Sequence, residues 1–424
     1  MAKCLWLLVL ALHGLAHADE PTTAWKFSGF GTLGLTQHNS DHASYRSNAQ
    51  QANGIANEWS LKNDTVLGVQ TRYQASDTVD FTLQLLSRHG PRNNFDPQVD
   101  WAYMAWHVTP SLNLRAGRFI APVLMASDYR NVNYSNPWIR PPLEVYGLLT
   151  LNNVDGIDAI YRGSLGKLTY ALQPFLGQFK LPLGAGRSIH YHRMRGINSS
   201  LQAEDWMFRL AYMKSDHSLV DEFGIPYRVL RSQIAAPACG LAGRPGPGCE
   251  TVYPGYAAVA QALDVEHKRS NVLAVGGSYD DGDWVVQGEF VRRMAGSVVA
   301  SGQSWYVGAG RRIGEWMPYA VLARHWADTQ QYVLKPAAAY AGRPDRVVRN
   351  SSTDQSSISI GLRRELGRNL AIKGQIDWLK PEPGRYGGTF GNGNLFPNVP
   401  PPTGKFLSEY GAIRVMTVSL DFMF

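Results

Sequence analysis

Past residue 18 the chain has no unbroken apolar run of the roughly 20 residues that a membrane-spanning helix needs. That excludes a helical membrane protein and leaves strands open. No connecting stretch has the apolar spacing of a long amphipathic helix either. Cysteine is scarce, with only Cys4, Cys239 and Cys249, so too few thiols exist for a thiolate zinc site. Lys and Arg exceed Asp and Glu by a formal +7, but they are scattered, with no basic tail. That distribution excludes a nucleic-acid-binding protein.

The first residues, MAKCLWLLVLALHGLAHADE, place Lys3 before an apolar run, Leu5 to Leu12, and then the small-x-small site Ala16-His17-Ala18. This is the pattern of a secretory signal peptide, residues 1–18, with the mature chain over 19–424. The run is too short for a transmembrane anchor. Cys4 precedes it, where no lipid-attachment cysteine sits.

What the chain has in abundance is alternation. Its last residues are TVSLDFMF: Met416, Val418, Leu420, Phe422 and Phe424 share one parity, Thr417, Ser419, Asp421 and Met423 the other. Successive side chains of a β-strand point to opposite faces, so this is a strip with one apolar and one mostly polar side. A terminal strand normally frays into polar residues; this one must be held at its end. Similar segments recur at 25–36, 67–74, 79–85, 98–108, 112–119, 155–162, 167–177, 191–202, 206–214, 268–279, 284–293, 303–312, 316–326, 356–364 and 370–379. With 413–424 they make about sixteen, many near the 9–11 residues that a tilted strand needs to cross a bilayer.

The connections alternate too. Ala75-Ser76-Asp77, Thr109-Pro110-Ser111, Ala203-Glu204-Asp205 and Ile313-Gly314-Glu315 are very short, whereas 37–59, 120–154, 215–267, 327–355 and 380–412 are long and rich in Gly, Pro and Asn. Short turns at one end and long loops at the other predict an all-β transmembrane antiparallel barrel, with short periplasmic turns and long extracellular loops. A soluble sandwich or propeller is the competing reading. Against it, one face of nearly every segment is apolar, and aromatics such as Trp25, Tyr73, Trp206, Trp284 and Trp316 stand at segment ends, as in a membrane-interface belt. Closure of the last strand on the first would leave no edge in hydrocarbon.

A terminal Phe on an alternating last strand, Phe424 with Phe422, resembles the C-terminal signal that the outer-membrane assembly machinery reads. The segment VDWAYMAWHVTPSLNLRAGRFIAPVLMASDYRNVNYSNPWIRPPLEVYG, 99–147, resembles the fourth and fifth strands and third loop of Gram-negative porins. The resemblance implies a sixteen-stranded channel in the outer membrane, a homotrimer among lipid and lipopolysaccharide, with the third loop folded into the lumen. It names no solute and no cofactor.

Charge rings at the narrowest point bias which solutes pass. The third loop supplies Asp128, Arg130, Arg140 and Glu144. On the wall, Arg72, Arg88 and Arg115 fall on the inward parity, while Arg118 faces inward only if a bulge follows Gly117. Some of these charges can instead pin the loop. Arg140-Pro141-Pro142 stiffens it whatever its role, and Tyr129, Tyr134, Trp138 and Tyr146 are expected to pack it against the wall.

Other patterns point less far. Gly29-x-Gly31-x-x-Gly34 matches a dinucleotide fingerprint but lies inside an alternating strand with no helix after it; close backbone approach is the better reason for its glycines. His190-Tyr191-His192 puts two imidazoles on one face among arginines, with no third metal ligand evident. Asp280-Asp281-Gly282-Asp283 lacks an EF-hand's twelfth-position acid and reads as a hairpin turn. Cys239 and Cys249, bracketing GLAGRPGPG in an exported chain, are expected to form a disulfide.

The expectation is a passive porin for small hydrophilic solutes, with an arginine-rich constriction favouring anions. Two alternatives stay open. One is a monomeric, substrate-specific channel of about eighteen strands, with a strand hidden in VYPGYAAVAQALDV. The other is a surface receptor or rim enzyme, although no nucleophile–base spacing points to catalysis.

Overall fold

The structure, a computed structural model, describes residues 24–41, 44–48, 50–147, 152–183, 186–220, 247–296, 300–349, 354–381 and 411–424. The signal peptide, Cys239 and the Cys249 side chain lie outside the described residues. Strands β1 Trp25–His38, β2 Val66–Gln74, β3 Val79–Arg88, β4 Gln98–Thr109, β5 Leu112–Ile120 and β6 Asn153–Leu165 begin the wall. β7 Leu168–Pro182, β8 Ser188–Ala203, β9 Trp206–Val220, β10 Lys268–Asp280 and β11 Trp284–Ala295 follow. β12 Gly302–Arg311, β13 Trp316–Ala327, β16 Gln355–Gly367, β17 Leu370–Pro381 and β18 Ile413–Met423 complete it. These sixteen strands form one closed antiparallel barrel in which each pairs with its chain neighbours and β18 pairs with β1. Every sequence-predicted segment is one wall strand.

Eighteen strands do exist among the described residues, but two are not in the wall. β14 Gln331–Leu334 and β15 Arg346–Arg349 form a separate hairpin within the long segment after β13. The eighteen-stranded alternative is therefore corrected. The segment suspected of hiding a strand is helical instead, over Pro247–Val252 and Tyr256–Ala262. The apolar spacing of Val252, Tyr256, Val259 and Leu263 follows a helix, and these side chains pack together with Leu334 of the hairpin.

The outward parity is apolar. Leu33 and Leu35 of β1, Phe81, Leu83 and Leu85 of β3, Ile358, Ile360 and Leu362 of β16, and Met416 and Val418 of β18 are all exposed. Each such side chain left in water forgoes roughly 1.5–3 kcal/mol of burial, so a surface of this kind belongs in hydrocarbon. At the short-turn end an aromatic girdle rings the outside. Trp25 meets Tyr73 at 4.6 Å, Trp206 meets Tyr279 at 4.7 Å and Tyr161 meets Tyr170 at 6.3 Å between ring centroids. Arg311 stacks over Trp284 and Arg364 over Trp316, at 5.4 and 4.9 Å.

The chain end is held as the last strand demanded. Phe424 N–H donates to the Gly29 carbonyl at 2.9 Å, and Gly29 N–H donates to the Phe424 carbonyl at 2.8 Å. A side chain on Gly29 would collide with the Phe424 ring, and one on Gly31 with the Phe422 ring. The two glycines open a trough for the terminal aromatics. The Asp280–Asp283 segment is a hairpin turn: Asp281 Oδ1 accepts from the Asp283 and Trp284 amides, and Gly282 takes φ +92°.

Candidate constriction inside the barrel

Between β5 and β6 the chain turns into the barrel. The entering run Ala121 to Ala126 is buried, as are Trp138, Ile139, Val145 and Tyr146. Ala121, Val123, Leu124, Ala126, Trp138, Val145 and Tyr146 share one apolar cluster with inward side chains of the wall, including Met213, Val291, Tyr306, Tyr319 and Val321. Trp138 lies 5.5 Å from Tyr319 and over Gly308, where a side chain would collide with it. The loop aromatics Trp138 and Tyr146 thus pack it, as their sequence context suggested.

Three polar clamps fix the loop. At its first corner Glu289 accepts from the Met125 amide at 2.8 Å and from the Tyr146 hydroxyl at 2.7 Å. Arg209 donates to the carbonyls of Leu124 at 2.6 Å and Met125 at 3.1 Å, and pairs with Asp128 at 3.2 Å. At the second corner Lys373 Nζ donates to the carbonyls of Asn133, Asn136 and Trp138 at 2.6, 2.8 and 3.0 Å, and pairs with Asp421 at 3.0 Å. Arg363 donates to the Tyr134 and Asn136 carbonyls at 2.8 and 3.0 Å. A bent loop without regular secondary structure at these corners cannot satisfy its own carbonyls, so cations on the wall do it.

The third clamp holds two of the expected constriction charges. Arg140 is buried between Asp64 at 2.8 Å and Asp377 at 2.9 Å. Glu144 is buried in the helical turn Leu143–Tyr146 and accepts from Gln355 at 2.7 Å. Burial pushes its carboxyl above the ordinary carboxylate value.

The remaining candidates fall in four places. Arg88 donates to Asn131 at 3.2 Å and to Gln50, and with Arg130 and Arg140 it lines one pocket alongside Asp64 and Asn133. Burial, with the Arg88 charge beside it, lowers Arg130 to about 10, which leaves it cationic at neutral pH. Arg72 is half-exposed on the inward parity and pairs with Asp80 at 2.7 Å, and His107 meets the same carboxylate at 2.6 Å. Arg115 grips Asp158 at 3.0 and 2.5 Å beneath Tyr103 and Phe119. Arg118, opposite in parity to Arg115, grips Asp155 at 2.6 and 2.8 Å, next to Gly117 at φ +130°.

The loop is off-centre. Inward positions of β12 and β13, such as Ser304, Tyr306, Met317, Tyr319, Val321 and His325, are buried beneath it. On β2, β4 and β5, inward Gln70, Arg72, Tyr103, His107 and Arg115 keep some exposure, whereas inward Asp80, Thr82, Gln84 and Leu86 of β3 are buried. Sequence reading missed Arg209, Glu289, Lys373 and Asp377, although each is a charged residue on the inward parity of its strand.

Solved structures share this architecture. OmpT of Vibrio cholerae, expressed in the outer membrane, superposes with a TM-score of 0.52 at 9% identity, covering 96% of this chain and 100% of its own. The chain carries the porin fold. Salmonella typhi OmpF, solved in complex with daunomycin, matches this porin-fold barrel with a TM-score of 0.51 at 12% identity, covering 94% and 97%. The outer-membrane channel DcaP of Acinetobacter baumannii matches at 0.52 and 10%, covering 97% and 100%. No family model and no curated protein sequence matches the chain. At these identities the porin-fold assignment speaks for architecture, not for solute.

Proposed function

We propose that this chain is an outer-membrane porin: a passive, water-filled channel for small hydrophilic solutes, with a preference for anions and no catalytic role. The observation that carries the reading is the off-centre loop. Arg72 stands half-exposed on the inward parity and Arg88 and Arg130 line one pocket, which supports a cationic water path, while Arg140 and Glu144 hold the loop in place. Guanidinium groups along a narrow aqueous path raise the local anion concentration. The barrel sits among outer-membrane lipid and lipopolysaccharide, is delivered by the assembly machinery through Phe422 and Phe424, and works as a trimer.

Single-channel recording in a planar bilayer tests this. Open steps in threes, with a reversal potential of anionic sign across a KCl gradient, support it. The extent of loop clamping favours one second reading, a closed barrel acting as a receptor. A folded barrel that never conducts would select it.

A further inference from the structure

Charge on the lipid-facing side of a barrel wall is tolerated only near the membrane interfaces. On the outside of β8 and β9 two cations face one another. Arg195 and Lys214 stand directly opposite across the strand pair, on the outward parity they share with Ile197 and Tyr212. Both are exposed, and among the described residues neither has a carboxylate partner. Like charges in directly opposite positions destabilise a strand pair. The arrangement therefore calls for an anion from outside the chain.

Other guanidinium groups on the outer wall have carboxylates of their own. Arg118 grips Asp155, and Arg292 pairs with Asp328. Asp216, one outward step above Lys214, is taken by Arg193. Arg269 of β10 is exposed opposite that aspartate, which puts a third cation diagonal to Lys214.

The register also sets the height of this patch. Lys214 is the ninth residue of β9 counted from Trp206, and Arg195 is the ninth of β8 counted back from Ala203. A tilted strand needs about 9–11 residues to cross, so the pair stands where the apolar band ends on the long-loop side. Below it lie exposed Leu176, Ile197, Leu210 and Val275. Lys214 Nζ lies 5.6 Å from the ring centroid of Tyr212, an aromatic of the kind that marks the interface.

We propose that Arg195, Lys214 and Arg269 bind a phosphate group of lipopolysaccharide, whose acyl chains lie on the apolar face beneath. The inference rests on the reading of this barrel as an outer-membrane porin with its long loops outward. Charge complementarity selects the headgroup: two guanidinium forks and one ammonium supply charge-assisted hydrogen bonds to phosphate oxygens. The apolar face selects a lipid-borne phosphate, since a free one would gain nothing from it. The bound phosphate relieves the repulsion between Arg195 and Lys214 and ties three strands to one lipid.

The test uses the untagged mature barrel folded in detergent, with deep-rough lipopolysaccharide as the probe and native mass spectrometry as the readout. The barrel should retain the lipid, and stripping the lipid of its phosphates should weaken retention by about tenfold or more. That comparison needs no variant to fold. Arg195→Gln combined with Lys214→Gln should weaken retention of the intact lipid to a similar extent. Lys167→Gln, the same loss of charge at the short-turn end, should leave it unchanged. Equal retention of the dephosphorylated lipid, unchanged retention in the double variant, displacement by inorganic phosphate, or equal retention of phosphatidylglycerol would overturn the site. Conductance in a lipopolysaccharide-free bilayer tests the porin reading separately. A barrel that conducts there and fails the binding tests loses the site and keeps the channel.

Discussion

The ring of Phe424 occupies the space that a side chain on Gly29 would take: a Cβ there would lie 2.2 Å from the ring's Cζ. The two residues also exchange both backbone hydrogen bonds, so the last residue of the chain closes the barrel against its first strand.

Gly29→Val should therefore displace the terminal ring and lower barrel stability by about 1–2 kcal/mol. Because Phe424 is the group it strikes, Gly29→Val with Phe424→Ala should cost less than the two changes added together. A double-mutant cycle on urea-driven folding into vesicles measures the coupling, expected within about 0.5–3 kcal/mol. Strict additivity would mean that ring and glycine are independent.

Lys373 satisfies three carbonyls and one carboxylate inside the wall. Lys373→Met removes the cation and strands Asp421, a change worth about 3–5 kcal/mol for a buried pair. The expected readout is noisy, larger single-channel current as the loop leaves its seat. Lys373→Met with Asp421→Asn should recover part of the stability, since the stranded charge is gone. Quiet, wild-type current in K373M would show that the loop is held without it.

Ion preference should follow the accessible arginines. Arg72→Glu reverses a half-exposed charge on the inward parity of β2, and for an ion ~8 Å away that changes the energy by about 1 kcal/mol before screening. The permeability ratio should move toward cations by roughly fivefold at low salt and by little at 1 M. Arg88→Glu and Arg115→Glu should act in the same direction. Reversal potentials unchanged in all three variants would remove these residues from the ion path.

Glu144 gives a pH test whose sign follows from its raised pKa. The folded state holds that proton more tightly than the unfolded chain, so the favourable contribution is complete below the unfolded pKa and fades as pH rises through the folded value. The thermal transition of the wild type should fall across that window by about 1–2 °C more than that of Glu144→Gln, whose amide does not ionise. Parallel curves would assign the pH response elsewhere.

How much of this was legible beforehand divides along a physical line. Alternation located all sixteen wall strands, because a strand in a barrel must choose a face at every residue and lipid accepts only apolar ones. It also placed Arg72, Arg88 and Arg115 on the inward parity. Parity could not say what covers an inward residue, however. Arg140 and Glu144, on the loop itself, are gripped by Asp64, Asp377 and Gln355, partners far away in sequence that no local pattern announces. The helical segment Tyr256–Ala262 was ambiguous for a related reason: a short apolar run fits either period until a partner, here Leu334, is known. Arg195 meets Lys214 only through the register of β8 and β9.

The bond between Gly29 and Phe424 gives the molecule a near-cyclic sequence order. Both ends of the described wall emerge side by side at the short-turn end, so the chain is a ring of hairpins with one turn left open. Joining residue 424 to residue 25 through a few added residues, and cutting instead within a long loop such as 327–355, would preserve every strand pair. A permuted chain of that kind would keep the wall while moving Phe424 away from the C-terminus. Its yield in the outer membrane would show whether a terminal aromatic matters for delivery as well as for the finished barrel.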